Sequence, residues 1–444
     1  MADTLRDELF DWLRIPSIST GGGDPADLVR AAEWAVAKIE RAGGTASLES
    51  PIAGGNPLVV GELPASRSAD GAATVLIYGH YDVQGAEPFD LWDSPPFEPT
   101  VRDGRIYARG AADDKGNFLP LLAAACDLAT AGELPVNVRI AIEGEEEAGG
   151  ASIAAWLAAD ARGADAAIVY DSAMASPELP AITIGLRGVV LLTFDVRAAE
   201  RDLHSGIFGG SALNSLHALH SALAQVLPDP ATGVVRDELR VGIAPVADAE
   251  RATWGGLPDG DEALRASGAR PAYPGAGAEY VERNGSDAAL DVNQIVAGDA
   301  RTVIAGVARA TLSIRLAPGQ DPDAMGAKLL ELLRSGLPEG AELEVVSSHQ
   351  AQPALFPADT PAIVLAAQAI ERATGSAPAL VRSGGSIPIV ADFAAKGIPA
   401  IVTGFTLPDD PIHAPNESIW ERGLELGYAA GREMLIGLAA LGDQ

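Results

Sequence analysis

Residues 73–82 read Ala73-Thr74-Val75-Leu76-Ile77-Tyr78-Gly79-His80-Tyr81-Asp82. The apolar run 73–78 has the length and composition of a buried strand, and Gly79 ends it. A histidine at the carboxyl end of such a strand lies where open α/β sheets build their sites. Asp82, two residues on, is close enough to hydrogen-bond the ring nitrogen that His80 does not use, and carboxylate–histidine–metal is a recurrent arrangement. Taken alone, a satisfied strand-end histidine is the better reading. Three further acidic clusters and another histidine follow, however, in an order that fits a two-metal hydrolase.

The first of these clusters is Arg109-Gly110-Ala111-Ala112-Asp113-Asp114-Lys115-Gly116. Adjacent acids beside glycines, ahead of a helix, suit a loop that aims one carboxylate while the other caps the helix. Next comes Glu143-Gly144-Glu145-Glu146-Glu147, at the end of the apolar strand 138–142. Four glutamates in five residues repel one another unless water or a cation compensates them. Neighbouring glutamates also permit one to ligate while the other stays free as general base. Asp171 ends the buried run Ile168-Val169-Tyr170, and His413 sits between Pro411 and Pro415. Together these offer two terminal histidines, His80 and His413, a bridging candidate in Asp113, and Glu147 and Asp171 as further ligands. Mixed histidine and carboxylate ligation suits Zn²⁺ first and Mn²⁺ second. Two such ions, roughly 3.5–4 Å apart, can activate a water held between them and polarise a carbonyl.

Along the chain, helices are expected over 3–14, 25–42, 115–130 and 152–159, alternating with strands at 58–62, 74–78, 136–143 and 166–169. That alternation argues an α/β sheet covered on both faces. The rhythm changes near Gly185-Leu186-Arg187-Gly188. Strands 189–196, 308–316 and 342–348, with helices 212–227 and 322–335, outline an inserted α+β unit. His217 and His220 on the helix 212–227 lack an acidic neighbour in sequence and read as ordinary helix residues. Residues 228–290, rich in Gly, Pro and acids, resist assignment. A helix 361–374, a strand 400–403 and a helix from about Glu417 to Leu438 return to α/β character.

With 444 residues and 48% hydrophobic content, the chain exceeds one ordinary core, so two domains are expected. A net charge of −30 argues against nucleic acid and anionic membrane surfaces as partners. The single cysteine, Cys126, excludes an intrachain disulfide and lies in an apolar stretch that should bury it. The N-terminus lacks a basic region followed by an apolar one, and no 18-residue apolar run occurs, so a cytoplasmic protein is expected.

The set of motifs in this order resembles the M20 family of metallopeptidases, particularly its cytosolic dipeptidase/carnosinase branch. The matching pieces are 79–82, 109–116, 143–149, Tyr170-Asp171, 185–188, Asp202-Leu203-His204-Ser205-Gly206, Gly384-Gly385-Ser386-Ile387-Pro388 and His413. The resemblance implies a zinc-peptidase-like catalytic domain with a mixed sheet, over 1–186 and 353–444, and an inserted lid and dimerisation domain over 187–352. It gives one metal to His80, Asp113 and Asp171, and a second to Asp113, Glu147 and His413. Asp82 would orient His80, and Glu146 would be the general base. His204 would reach a neighbouring subunit's site in a homodimer and steady the oxyanion. Arg315 would clamp a substrate carboxylate bidentately, with Thr302, Gly385 and Ser386 adding hydrogen bonds. A cis bond between Asp113 and Asp114 is implied as well. The reaction expected is hydrolysis of the amide bond of dipeptides. An N-acyl amino acid deacylase or carboxypeptidase on the same scaffold is the near alternative, and a catalytically silent binding homologue the distant one, since fold does not settle substrate.

Overall fold

The computed structural model describes residues 2–66, 71–385 and 387–442. A nine-stranded sheet organises the larger core. Its order runs Thr45–Glu49, Leu58–Leu63, Asn137–Glu143, Thr74–His80, Ala166–Tyr170, Ala400–Thr403, Ala181–Leu186, Ala354–Leu355, with Ala379–Ser383 also paired to Ala181–Leu186. The four central strands, from Asn137–Glu143 to Ala400–Thr403, run parallel. Antiparallel strands flank them on either side, so the sheet is mixed.

The central strands are buried along almost their whole length because both faces are covered. Successive residues of one strand show it. Tyr78 meets Phe393 of the helix Pro388–Ala395, edge to face at 6.3 Å between ring centroids. The next residue, Gly79, lies against Phe118 of the helix Lys115–Thr130, and any Cβ there would run into the ring. Neighbouring residues of a strand point to opposite faces, so these two helices cover the two sides. The helix Glu421–Gly437 packs on Lys115–Thr130, and Pro361–Thr374 packs on Glu421–Gly437. Cys126 is buried in this layer, as its apolar surroundings predict.

A second core is separate. It gathers Val190, Leu192, Phe194, Leu219, Leu312, Ile314, Leu329 and neighbours under a four-stranded sheet of order Ala289–Ala297, Val307–Leu316, Gly188–Arg197, Glu342–Ala351. All pairs in that sheet are antiparallel. Alternate residues of Val307–Leu316 are buried, and the helices Ser215–Leu223 and Pro322–Ser335 pack on the sheet. The helix expected over 212–227 is shorter because Asn214 caps it, accepting from the amides of Leu216 and His217. His217 and His220 are exposed on it.

Residues 228–290 fold into short helices, several of which lean on the strand Ala379–Ser383 of the large sheet. The anchor is Arg382. Its guanidinium makes two 2.8 Å bonds to Glu250 and donates to the carbonyls of Ala244 and Pro245. Trp254 donates to the Leu380 carbonyl nearby. The final helix begins at Glu421 rather than Glu417, because Ser418–Trp420 pairs as a strand with Arg105–Tyr107. No helix among the described residues is long and apolar enough to cross a membrane.

The Glu250–Arg382 pair is 1–2% exposed, so losing one partner strands a buried charge. Glu250→Ala should cost about 3–5 kcal/mol in denaturant unfolding. Glu62→Ala, which breaks the solvent-facing pair with Arg162, should cost no more than about 1 kcal/mol. Equal losses would refute the assignment of the Arg382–Glu250 pair as the anchor.

Candidate metal centre

Three adjacent parallel strands deliver acidic or imidazole groups to one sheet edge, the carboxyl edge. His80 ends Thr74–His80, Glu146 and Glu147 follow Asn137–Glu143, and Asp171 follows Ala166–Tyr170. Asp113 arrives from the loop ahead of Lys115–Thr130, across a cis bond to Asp114, as the resemblance implies. His413 arrives from the loop ahead of Ser418–Trp420, with a left-handed backbone at φ 57°.

Asp113 is shared. Its Oδ1 lies 3.0 Å from His80 Nε2, and its Oδ2 lies 2.9 Å from His413 Nε2. His413 Nε2 is also 3.0 Å from Glu147 Oε1. The donor atoms of His80, Asp113 and Asp171 lie within 4.8 Å of one another, and so do those of Asp113, Glu147 and His413. These are the two triplets that the resemblance implies. Among the described residues they are the groups whose donors converge in this way.

The electrostatics of the cluster are those of a cation site. Burial, and then the Asp113 charge, pushes the Asp171 carboxyl up to about 8. The same two causes raise Glu147 to about 7. Burial opposes charge on His80, but Asp113 and Asp82 outweigh it and hold the ring well above its ordinary range. Asp113 hydrogen-bonds His413 and raises it to about 9. For Asp113 itself burial is outweighed by the two imidazoles, which hold it well below the usual carboxylate range. The Asp171 carboxylate makes no hydrogen bond to any described residue. Carboxylates crowded this closely, with imidazoles as their counterweight, fit a divalent cation at each triplet.

Asp82 does two things at once. Its main-chain carbonyl lies 3.1 Å from His80 Nδ1, while its carboxylate is 3.5 Å from the same atom. The carboxylate is drawn instead to the Ser19 hydroxyl and to the amides of Glu146 and Glu147, at 3.3 and 3.2 Å. Asp82 therefore ties the His80 ring to the turn that carries Glu146 and Glu147. Gln84 donates to Glu147 Oε2 at 2.8 Å. Asp114 occupies the N-cap position of Lys115–Thr130 without a capping bond. Its carboxylate accepts from the His80 amide at 3.3 Å instead.

Sequence reasoning missed Glu417, placing it at the start of a helix. The residue is fully buried and accepts from four donors. Arg109 Nη1 lies at 2.6 Å, with the amides of Gly110, Ala112 and Asp113 at 3.0, 2.8 and 3.0 Å. One carboxylate thus shapes the whole loop that presents Asp113. Arg109 is 2% exposed and reaches on to the Gly85 carbonyl. An arginine set in a Gly/Ala run was the available signal, since a buried guanidinium demands an acid.

The remaining candidates lie outside the cluster. His204 is exposed at the N-cap of the short helix Ser205–Phe208, its Nδ1 accepting from the Gly206 amide. Val303 is its partner across the ladder, and the carbonyl of the adjacent Thr302 accepts from the Ser205 amide and hydroxyl. Arg315 lines a cleft of about 470 Å³ with Arg187, Asp291 and Tyr273. Gly385 is exposed and donates to the Ser383 hydroxyl. Ser386 lies outside the described residues.

The model of peptidase family M20/M25/M40 matches residues 76–436. The chain belongs to that family. M20 relatives include the Beta-Ala-His dipeptidase of Rattus norvegicus, 29% identical over 362 residues, 78% of this chain and 73% of the relative. The cysteinylglycine-S-conjugate dipeptidase of Corynebacterium striatum is 27% identical over 91% of this chain and 89% of its own. Among solved structures, an M20 family metallo-carboxypeptidase from Sulfolobus solfataricus superposes with a TM-score of 0.82 at 25% identity, covering 99% of both chains. The chain is accordingly a hydrolase of the peptidase class.

Glu417 should reveal itself in metal binding. Glu417→Gln keeps the shape but loses the charge that faces Arg109. In titrations of stripped protein its affinity for Zn²⁺ should fall about 10–100-fold. Unchanged affinity in a folded variant would show that other contacts hold the loop.

Proposed function

We propose that this M20 peptidase is a dinuclear metal-dependent dipeptidase. The observation that carries the reading is the sharing of Asp113 between two ligand triplets. The N/O donor set favours Zn²⁺, with Mn²⁺ as second choice. Two ions held there would supply Lewis acidity toward a scissile carbonyl and toward water.

The chain's own residues do the rest. Glu146 takes the proton of the attacking water and returns it to the departing amine. Burial raises its carboxyl, which matches a base that must also act as an acid. Asp82 holds the turn that aims it. Arg315 offers a planar, two-pronged donor to a substrate carboxylate, with Thr302, Gly385 and Ser386 as supporting donors.

We assign residues 187–352 to a lid and dimerisation unit, and the remainder to the catalytic unit. The separate second core supports the division. Exposed apolar side chains on its sheet, among them Ile295, Val296 and Val346, support contact with a second copy. His204 would then serve the partner's site, donating to the oxyanion as the lid closes.

A hydrolysis screen of dipeptides, longer peptides and N-acyl amino acids with added Zn²⁺ or Mn²⁺ tests the reading. Dipeptides should be cleaved fastest. Preference for N-acyl amino acids would favour a deacylase, and preference for longer peptides a carboxypeptidase.

Glu146 and Glu147 should separate. Glu147→Gln should weaken metal binding. Glu146→Gln should retain metal and lose about 10²–10⁴-fold in kcat. Equal loss of metal in both would refute the division of labour. His204→Ala should keep metal and lose about 10²–10³ in kcat. Mixed with Glu146→Gln subunits it should recover activity, since one hybrid site keeps both groups. No recovery after verified exchange would rule out action in trans.

A further inference from the structure

Behind Glu146 lies a small cavity of about 80 Å³. Tyr78, Glu143, Glu146 and Asp392 supply its polar wall, and Ile153 and Ile389 line its apolar side. Glu146 connects it to the metal centre, because it lines the cavity and stands in the same short turn as the ligand Glu147. Among the described residues, every side-chain charge on its wall is acidic.

Glu143 is the telling residue. It is 1% exposed, and its Oε1 accepts from the Tyr78 hydroxyl at 2.5 Å. Its Oε2 is buried without any hydrogen-bond partner. A buried carboxylate oxygen left without a donor is costly, so such atoms mark places where a donor belongs. Asp392 has no hydrogen bond or ion pair with any described residue, and burial raises its carboxyl. A donor that satisfied both would carry several N–H groups and a positive charge. It would also be small. A primary ammonium with one or two carbons meets all three conditions.

We propose that this cavity is a subsite for the substrate's free amino group, on the acyl side of the bond to be cut, with Glu143 and Asp392 as its recognition residues. The proposal rests on the dipeptidase reading and sharpens it. An ammonium here supplies donors and a positive charge to two carboxyls that burial otherwise raises, and it anchors the acyl portion beside Glu146. The acyl group of an N-acyl amino acid carries no amine, so it brings neither charge nor donor to the cavity and leaves the Glu143 oxygen unpaired. Rejection by an unpaired buried polar group is the strong kind of discrimination. The subsite therefore selects dipeptides over N-acyl amino acids.

The test compares the metal-loaded enzyme on Ala-Leu and on propionyl-Leu, which differ only in that amine. Wild type should cleave Ala-Leu and discriminate strongly against propionyl-Leu in kcat/KM. Asp392→Asn should raise KM for Ala-Leu about 10- to 100-fold, with kcat and metal content little changed and propionyl-Leu unaffected. Glu143→Gln should act the same way, and Asp392→Asn, at a half-buried site, decides the matter should Glu143→Gln fail to fold. Equal shifts for the two substrates, or none, would overturn the subsite while leaving a dipeptidase in place. Wild-type cleavage of both at similar rates would do the same. No cleavage of any dipeptide by the loaded enzyme would overturn the underlying reading and the subsite with it.

Discussion

The buried Glu417 carboxylate is the constraint on which the site depends. Two oxygens take four N–H donors, one of them from a buried guanidinium. Besides Glu417, the Gly116 amide of the following helix donates to the Gly110 carbonyl and ties one end of the loop 110–113. Its three amides must point inward to be satisfied, which leaves the Asp113 side chain to point outward between His80 and His413. Glu417 also follows His413 by only four residues, so one buried ion pair sets both the bridging acid and one terminal imidazole. Arg109 extends the lock to the Gly85 turn, just past the segment that carries His80 and Asp82. The protein accepts the cost of a buried ion pair at this point because the geometry it imposes is otherwise unavailable.

The parallel strands make the second contribution. Strand ends on one edge bring His80, the Glu146–Glu147 turn and Asp171 together without long side chains or flexible loops. Asp82 then couples two of them, its carbonyl on the imidazole and its carboxylate on the turn's amides. Each ligand is held by main-chain geometry, which suits a site whose bare carboxylates repel one another.

Much of this was legible in the sequence. Apolar runs ending in Gly79-His80 and Tyr170-Asp171 announced buried strands with functional ends, and the five ligand candidates do converge. Glu417 was not legible, because its role depends on partners some three hundred residues earlier in the chain. Periodicity alone read it as the first turn of a helix. Residues 228–290 were opaque for a related reason. Their order comes from Arg382, far along the chain, rather than from local propensity. The short outer strands, such as Thr45–Glu49, are largely exposed and lack the apolar run that marks a central strand.

Asp113 is the group both triplets need, so its loss should affect both ions at once. The most direct measurement is calorimetric titration of the stripped chain with Zn²⁺, wild type beside Asp113→Ala, with circular dichroism to confirm folding. Wild type should take up two ions per chain, and the variant should lose tight binding of both. A folded Asp113→Ala chain that still binds two ions tightly, or a wild type that binds only one, would contradict a shared bridging carboxylate.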